Sequence, residues 1–102
     1  MGMNYTRLVA MNVTDPTAYA AYRAAMLSIL KGYGGGFAYD AVVQDVTGSF
    51  EHPVTRIFAI TFGDKAACQE FFADPAYAVV RAQHFEGAVE GFTEMAAYSC
   101  AD

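Results

Sequence analysis

The order of strand-like and helix-like segments in this sequence predicts an α+β sandwich, in which helices cover one face of a four-stranded antiparallel sheet. Three observations lead to this fold class. Two β-α-β halves follow one another, and each contains an Asp-Pro helix start. A short segment rich in turn residues, Gly48 to Pro53, separates the two middle strands and predicts a hairpin. The strands carry apolar residues on both sides, so the second face also needs a partner.

The first half of the chain predicts a strand and a long amphipathic helix. Tyr5 to Val13 is apolar on both sides and is predicted to be an inner strand. Asp15 caps the helix that follows, and Pro16 occupies its first turn, where the missing N–H costs nothing. A stripe at three- and four-residue steps packs on the sheet: Tyr19, Tyr22, Met26, Ile29, Leu30 and Tyr33. Three glycines, Gly34 to Gly36, end the helix.

The middle of the chain predicts an edge strand, a central strand and a second helix. Phe37 to about Thr47 has the polarity of an edge strand, because it contains Asp40, Gln44 and Asp45. Val54 to Phe62 is a strongly apolar strand that forms an antiparallel hairpin with it. Asp64 is predicted to cap the next helix, whose buried face carries Cys68, Phe71 and Phe72.

The last third of the chain restarts the helix and then returns to the sheet. Asp74-Pro75 repeats the first helix start, so we expect a kink or a second short helix. Tyr77, Val80, His84 and Val89 continue the helical pattern. The final strand is predicted over Phe92 to Ser99, with Phe92, Ala96 and Tyr98 opposite Met95 and Ala97.

The resulting order, βαββαβ with right-handed crossovers, is that of a ferredoxin-like sandwich. Both helices then cover the same face of the sheet. The other face carries Phe, Ile, Val and Met side chains, and exposed apolar patches of that size usually mark an interface. We therefore expect a homodimer joined sheet to sheet, which is the arrangement of a dimeric α/β barrel.

Length and composition predict one domain over residues 1–102 and exclude several classes of partner. The chain has 55% hydrophobic and only 17% charged residues, with a net charge of −5. Its six Lys and Arg residues are scattered, so neither nucleic acid nor an anionic membrane is an expected partner. No apolar run approaches the roughly 20 residues that a bilayer requires. Cys68 and Cys100 lie far apart, and no signal-peptide core precedes the first strand, so a cytoplasmic location is expected.

Arg56 and His84 are the two polar residues that fit their apolar surroundings least well. Arg56 is a candidate anchor for a carboxylate, and the alternative is an ion pair with Glu94 or Asp45. His84 is a candidate general acid or base, and the alternative is a hydrogen bond to a neighbour. Because both residues are polar in otherwise apolar stretches, we predict that Arg56 and His84 lie near one cavity.

The predicted ligand site combines these two residues with tyrosines. Tyr39 and Tyr77, together with Arg56 and His84, would line an apolar pocket with a few polar groups, the usual form of a small-molecule site. His52 is expected in solvent. Two histidines without ligand spacing beyond His84-x-Glu86 predict no metal, and no cofactor of any other kind is expected.

Several short motifs make the chain resemble the domain of unknown function family 1330, within the dimeric α/β-barrel superfamily. They are Val13-Thr14-Asp15-Pro16 with Tyr19 and Tyr22, Tyr33-Gly34-Gly35, the strand Arg56 to Phe62, and Pro75-x-Tyr77. The resemblance implies the same sandwich and a homodimer whose sheets form a shared barrel, and it implies no reaction. Members of that family typically carry arginine where this chain has Asp40 and His84, so an anion-binding role does not transfer to these positions.

Two functional hypotheses follow from the sequence, and no motif decides between them. The first is a homodimeric barrel that binds or transforms a small organic molecule. The second is a non-catalytic dimeric module that sequesters a ligand or supports another protein. A pocket would favour the first hypothesis, and a filled core would favour the second.

Overall fold

The structure of the protein, a computed structural model, describes residues 3–44 and 51–101. The strands are β1 (Met3–Val13), β2 (Gly36–Val42), β3 (Arg56–Phe62) and β4 (Val89–Ala101). They form one antiparallel sheet in the order β2-β3-β1-β4. Helix α1 (Pro16–Gly32) follows β1, while α2 (Lys65–Ala73), α3 (Pro75–Val80) and a π-helical turn (Arg81–Phe85) connect β3 to β4. The predicted ferredoxin-like α+β fold is confirmed, with β1 inside and β2 at an edge.

All three α-helices begin at an aspartate that accepts a hydrogen bond from the first turn. The distances are 3.1 Å from Ala18 N to Asp15 Oδ1, 2.8 Å from Ala67 N to Asp64 Oδ1, and 2.8 Å from Ala76 N to Asp74 Oδ1. These bonds satisfy N–H groups that have no partner within their own helix. The predicted caps are therefore confirmed, and Asp74-Pro75 begins a separate short helix.

The turn from α1 into β2 needs glycine for two different reasons. Gly34 has a φ of +72°, in the left-handed region where a side chain is strained. A Cβ atom at Gly35 would lie 2.9 Å from the carbonyl oxygen of Thr61 and would also meet Leu30. The close approach lets the end of α1 rest directly on β3.

The strand boundaries, and one predicted strand face, differ from the prediction. β2 ends at Val42, residues 45–47 lie outside the described residues, and β3 begins at Arg56 instead of Val54. β4 starts at Val89, which the helical pattern had included. A bulge opposite Leu8/Val9 lets Phe92 pair with Met11 while Ala96 pairs with Leu8. Phe92 and Ala96 consequently lie on opposite faces, and their predicted common face was wrong.

Helices cover one face of the sheet and leave the other without a helix, although Thr6, Ala10 and Ala59 on that second face are themselves buried. The buried core lies under the helices and includes Met11, Tyr19, Tyr22, Met26, Leu30, Ile60, Phe62 and Phe71. We call the opposite side the open sheet face, and it carries Thr6, Leu8, Ala10, Tyr39, Ala41, Ile57, Ala59, Thr61, Ala96 and Tyr98. Tyr39 and Tyr98 are 51% and 43% exposed there.

Candidate functional site

A pocket of about 280 Å³ lies between the helix-covered face of the sheet and the helices. Its floor comes from alternate residues of the strands, which point to the same face: Arg7, Val9 and Met11 on β1, Phe58 and Ile60 on β3, and Phe92 on β4. Its roof consists of Tyr22 on α1, Phe72 on α2, Tyr77 on α3, and Arg81 and Phe85 on the π-helical turn. The wall is therefore mainly apolar, with four polar side chains. We call it the Tyr22–Tyr77 pocket.

Two buried tyrosine hydroxyls form the polar centre of this wall. The hydroxyl oxygens of Tyr22 and Tyr77 lie 2.9 Å apart and share a hydrogen bond. The Asp74 cap places Tyr77 in the first turn of α3, while the apolar stripe of α1 directs Tyr22 inward. Burial raises the pKa of Tyr22 well above its usual range, and Tyr77 adds to this effect. The Tyr22 phenol therefore stays protonated at neutral pH.

The two arginines of the pocket differ in their charge balance. Arg7 donates to Glu94 Oε2 from Nη2 at 2.6 Å and from Nε at 3.1 Å, and its guanidinium lies 4.7 Å from the centre of the Phe72 ring. The guanidinium of Arg81 lies 5.1 Å from the centre of the Phe85 ring. Within residues 3–44 and 51–101, no carboxylate lies at ion-pairing distance from Arg81. The pocket thus carries one positive charge that the described residues do not neutralise.

Arg81 and Phe85 lie at the two ends of the π-helical turn, and both line the pocket. The N–H of Glu86 donates to the carbonyl oxygen of Arg81 at 3.2 Å, a bond across five residues. Residues four apart on such a turn point in similar directions, and π-helical turns occur frequently at functional sites. Arg81 therefore stacks on Phe85 at the pocket wall.

A second cluster of charged residues lies under α1 on the β2 side of the sheet. Arg56 donates to Asp40 from Nε at 2.8 Å and from Nη2 at 3.3 Å. Arg23 Nε lies 2.8 Å from Asp40 Oδ2, as an ion pair without hydrogen-bond alignment. The Asp40 side chain is only 5% exposed. We call these three residues the Asp40 cluster.

Aromatic rings complete the Asp40 cluster. The guanidinium of Arg56 lies 4.7 Å from the centre of the Tyr19 ring, and that of Arg23 lies 4.5 Å from the centre of the Phe37 ring. Burial, with Asp40 nearby, raises the pKa of Tyr19 to about 12. The hydrogen bonds to Asp40 raise the pKa of Arg56 further. The cluster joins α1, β2 and β3, so it has a structural role.

The sequence profile of the family described as "Domain of unknown function (DUF1330)" matches residues 7–96. The chain belongs to this family. The match covers both the Tyr22–Tyr77 pocket and the Asp40 cluster, and it confirms the resemblance seen in the sequence. No curated protein sequence matches the chain.

Solved structures similar to this DUF1330 chain share its fold at low sequence identity. A protein of unknown function from Rhodopseudomonas palustris has a TM-score of 0.69 and 20% identity, over 97% of this chain and 81% of the other. A dabb family protein with a ferredoxin-like fold from Mesorhizobium loti has a TM-score of 0.58 and 14% identity, over 100% and 98%. A dimeric ferredoxin-like protein of unknown function from Thermobifida fusca has a TM-score of 0.57 and 10% identity, over 99% and 92%.

The four residues that the sequence predicted as one ligand site are dispersed in this DUF1330 protein. Tyr77 lines the Tyr22–Tyr77 pocket, and Arg56 belongs to the Asp40 cluster. His84 lies on the π-helical turn, half-buried, and is not among the residues that line the Tyr22–Tyr77 pocket. Tyr39 lies on the open sheet face. Neither Arg56 nor His84 lines the Tyr22–Tyr77 pocket.

A register shift in β2 accounts for the position of Tyr39. The shift lies between Phe37 and Tyr39, after which Tyr39 pairs with Ala59 and Asp40 pairs with Phe58. Asp40 is thereby turned under the helices, where it takes the role of ion-pair partner that the sequence had assigned to Glu94 or Asp45. Glu94 pairs with Arg7 instead, and Asp45 lies outside the described residues.

Sequence reasoning did not identify Tyr22, Arg7 or Arg81 as site residues. Arg7 alternates with Val9 and Met11 on an inner strand, and a cation on an apolar face was a detectable signal. Arg81 follows Tyr77 by four residues in the same helical segment, so helical spacing could have placed both on one face. Tyr22 was correctly placed in the core, but the partner of its hydroxyl comes from another helix.

His52 and Cys68 have side chains of reactive types, and both side chains pack against or bond to their neighbours. The prediction that His52 lies in solvent was wrong, since its Nε2 lies 2.9 Å from Thr93 Oγ1 and its Nδ1 lies 2.8 Å from the Pro53 carbonyl oxygen. Its ring also occupies the space that a side chain at Gly91, with a φ of +145°, would need. Cys68 is buried on α2, and burial raises the pKa of its thiol, so it packs as an apolar residue.

Two site types are not found in the described part of this DUF1330 chain. Residues 3–44 and 51–101 contain no group of three or more His, Cys, Asp or Glu side chains arranged to hold a metal ion. None of the helices in these ranges is long and apolar enough to cross a membrane.

Proposed function

We propose that this DUF1330 protein is a homodimer that binds a small organic molecule in the Tyr22–Tyr77 pocket. The observation that carries the proposal is a hydrogen-bonded pair of buried hydroxyls within a mainly apolar pocket. Small-molecule sites typically combine an apolar wall with a few polar groups that orient the ligand. The volume of about 280 Å³ favours a small ligand.

The composition of the wall favours binding over proton-transfer catalysis by the protein. The described residues that line the pocket include no His, Cys, Asp or Glu, and the raised pKa of Tyr22 keeps its phenol protonated. A general base needs a group that can accept a proton near neutral pH. These side chains can instead hold and orient a ligand by donating hydrogen bonds to it.

The alternative is a dimeric module that supports another protein and has no small-molecule ligand. A completely filled core would favour that alternative. The pocket under the helices argues against it, because a mainly apolar pocket with a few polar groups is the usual form of a small-molecule site.

The open sheet face supports the homodimer. Leu8 and Ile57 lie on this face near its centre, and the aromatic side chains of Tyr39 and Tyr98 are about half-exposed there. Leaving apolar area in water forfeits about 25 cal/mol per Å², and standard protein interfaces bury roughly 1,600 Å². A second copy with the same face would cover it, and dimeric proteins of this fold support that arrangement.

Methionine methyl NMR of the intact protein tests ligand binding. Met11 lines the pocket and Met95 is an exposed methionine of β4, so small aromatic compounds should shift the Met11 signal and leave Met95 unchanged. Val9→Phe should fill the cavity and abolish the shift. Val79→Phe, on the exposed side of α3, is the matched control. Binding that survives Val9→Phe would contradict the proposed site.

Sedimentation at micromolar concentration tests the dimer. The native chain should sediment at about twice its own mass. Ile57→Asp places a charge on the open sheet face and should yield monomer or aggregate, whereas Val79→Asp adds the same charge elsewhere and should leave the dimer intact. A folded monomer of the native chain would contradict the homodimer without affecting the pocket.

A further inference from the structure

The hydroxyl pair of the Tyr22–Tyr77 pocket leaves one hydrogen-bond donor available. Each phenol has one O–H proton, and the bond between the two oxygens uses only one of the two protons. Among the described residues, no second partner is seen for either hydroxyl. The remaining O–H can therefore donate to a ligand in the pocket.

Arg81 supplies further donors and a positive charge at the same wall. Its planar guanidinium carries five N–H groups, and among the described residues none of them is paired with a carboxylate. Arg7, by contrast, is already paired with Glu94. The wall thus offers donors from a phenol and a guanidinium, together with one positive charge that the described residues do not balance.

The rest of the wall favours a flat apolar body. Six of the lining side chains are aromatic: Tyr22, Phe58, Phe72, Tyr77, Phe85 and Phe92. The rings of Tyr22 and Phe85 lie 4.9 Å apart between centres, and Phe85 and Phe92 lie 6.1 Å apart in an edge-to-face arrangement. Rings inserted among such side chains gain from offset or edge-to-face contacts.

We infer that the pocket selects a small aromatic monocarboxylate, an inference that rests on the ligand-binding role proposed above. A carboxylate only accepts hydrogen bonds, and its two oxygens match one guanidinium and one hydroxyl donor. A single negative charge balances the single cation. A neutral amide of the same shape would point its own N–H groups at the guanidinium or hydroxyl donors of the pocket. It therefore binds less tightly than the carboxylate.

Benzoate and benzamide are the probes for this inference, because they share a ring and differ in charge and donors. Titrations of the intact protein, followed by the Met11 methyl signal, should show benzoate binding roughly tenfold more tightly than benzamide. Arg81→Gln should remove this preference. Lys31→Gln removes an equal charge in the last turn of α1. Lys31 does not line the Tyr22–Tyr77 pocket, so this variant should retain the preference.

The outcomes separate this inference from the proposed function. Equal binding of the two probes at Met11, or a preference that survives Arg81→Gln, would overturn the carboxylate selectivity and leave the ligand-binding role intact. Failure of every small aromatic compound to shift Met11 would overturn both. Loss of the preference for benzoate in Arg81→Gln, with the preference retained in Lys31→Gln, supports the inference.

Discussion

The Tyr22–Tyr77 pocket and the Asp40 cluster are built from the same residue types, yet their charges are balanced differently. Both place arginines against aromatic rings, with 4.5–5.1 Å between the guanidinium carbon and the ring centre. In the cluster, one nearly inaccessible carboxylate lies between two guanidiniums. In the pocket, Glu94 balances Arg7, and no described carboxylate balances Arg81.

This difference separates a structural unit from a binding site. A carboxylate buried with its cations contributes through ion pairs whose loss leaves uncompensated charge in the protein. A guanidinium beside a cavity, with no protein carboxylate in reach, can instead pair with a charged ligand. Substitutions in the two regions should therefore affect different properties, stability in the cluster and ligand binding in the pocket.

The largest effect on stability is expected from Asp40→Asn. The substitution keeps the shape of the side chain but leaves Arg23 and Arg56 without their counter-charge, which should cost about 3 kcal/mol. For a domain of this size, that corresponds to a fall in Tm of roughly 15 °C. Thermal unfolding at one protein concentration measures it.

Glu90→Gln is the matched control for Asp40→Asn. It removes one negative charge at an exposed position of β4, so the Tm should change little. Equal Tm values for the two variants would show that Asp40 does not stabilise the β2 side of the sheet.

An intermediate effect on stability is expected from substitutions in the hydroxyl pair of the pocket. Tyr22→Phe or Tyr77→Phe removes one partner of a buried hydrogen bond and should cost about 1 kcal/mol. The double variant should be no less stable than the single ones, because it leaves no unpaired hydroxyl. Denaturant unfolding of the four proteins measures the coupling. Strict additivity would show that the two hydroxyls do not interact.

Glu94→Gln should change binding more than stability. Its ion pair with Arg7 is partly exposed, so its loss should cost less than about 1 kcal/mol. The pocket would then hold a second unbalanced cation, and its affinity for benzoate should rise while that for benzamide stays constant. Titration followed by the Met11 signal tests this, with Glu90→Gln as the control. An unchanged benzoate affinity would show that Arg7 does not reach the ligand.

The smallest effect on stability is expected from the hydrogen bond that joins Tyr33 to Asp74, the N-cap of α3. This helix carries Tyr77. The Tyr33 hydroxyl donates to Asp74 Oδ2 at 2.7 Å, and this bond, with help from the Ala76 N–H, holds the pKa of Asp74 below its usual value. A lowered pKa stabilises the fold at neutral pH, and this contribution is lost as the pH falls below about 4. Tyr33→Phe should therefore lower the Tm at pH 7, and its difference from the native protein should shrink towards pH 2.

Asp15→Asn provides a control for the pH dependence of Tyr33→Phe. It changes a different helix cap and leaves the bond between Tyr33 and Asp74 in place. If the difference in Tm between the native protein and Tyr33→Phe is the same at pH 7 and at pH 2, the role of Asp74 is contradicted.

Local signals in the chain predicted most of the fold. Asp15, Asp64 and Asp74 accept the bonds expected of N-caps, and the stripe through Tyr19, Tyr22 and Met26 lies in the core as its spacing predicted. A cap depends on a few consecutive residues, and amphipathic spacing depends on one helix. These features can therefore be read without knowledge of distant contacts.

The candidate site was predicted less well, because register and helix geometry decide which side chains meet. A shift between Phe37 and Tyr39 exchanges the faces of Tyr39 and Asp40 relative to simple alternation. Of the four predicted residues, only Tyr77 lines the Tyr22–Tyr77 pocket. Its partner Tyr22 is 55 residues away in the chain.

The sequence by itself determined the element order, the helix starts and the existence of two apolar sheet faces, since each of these depends on neighbouring residues. Only the tertiary structure decided that Asp40 is buried between Arg23 and Arg56 while Arg81 lies beside a cavity. The physical reason is that a register shift in β2 turns Asp40 to the helix-covered face, while the packing of α3 against α1 and α2 places Arg81 at the pocket. Such shifts arise from packing between distant segments, and they decide which charges are balanced.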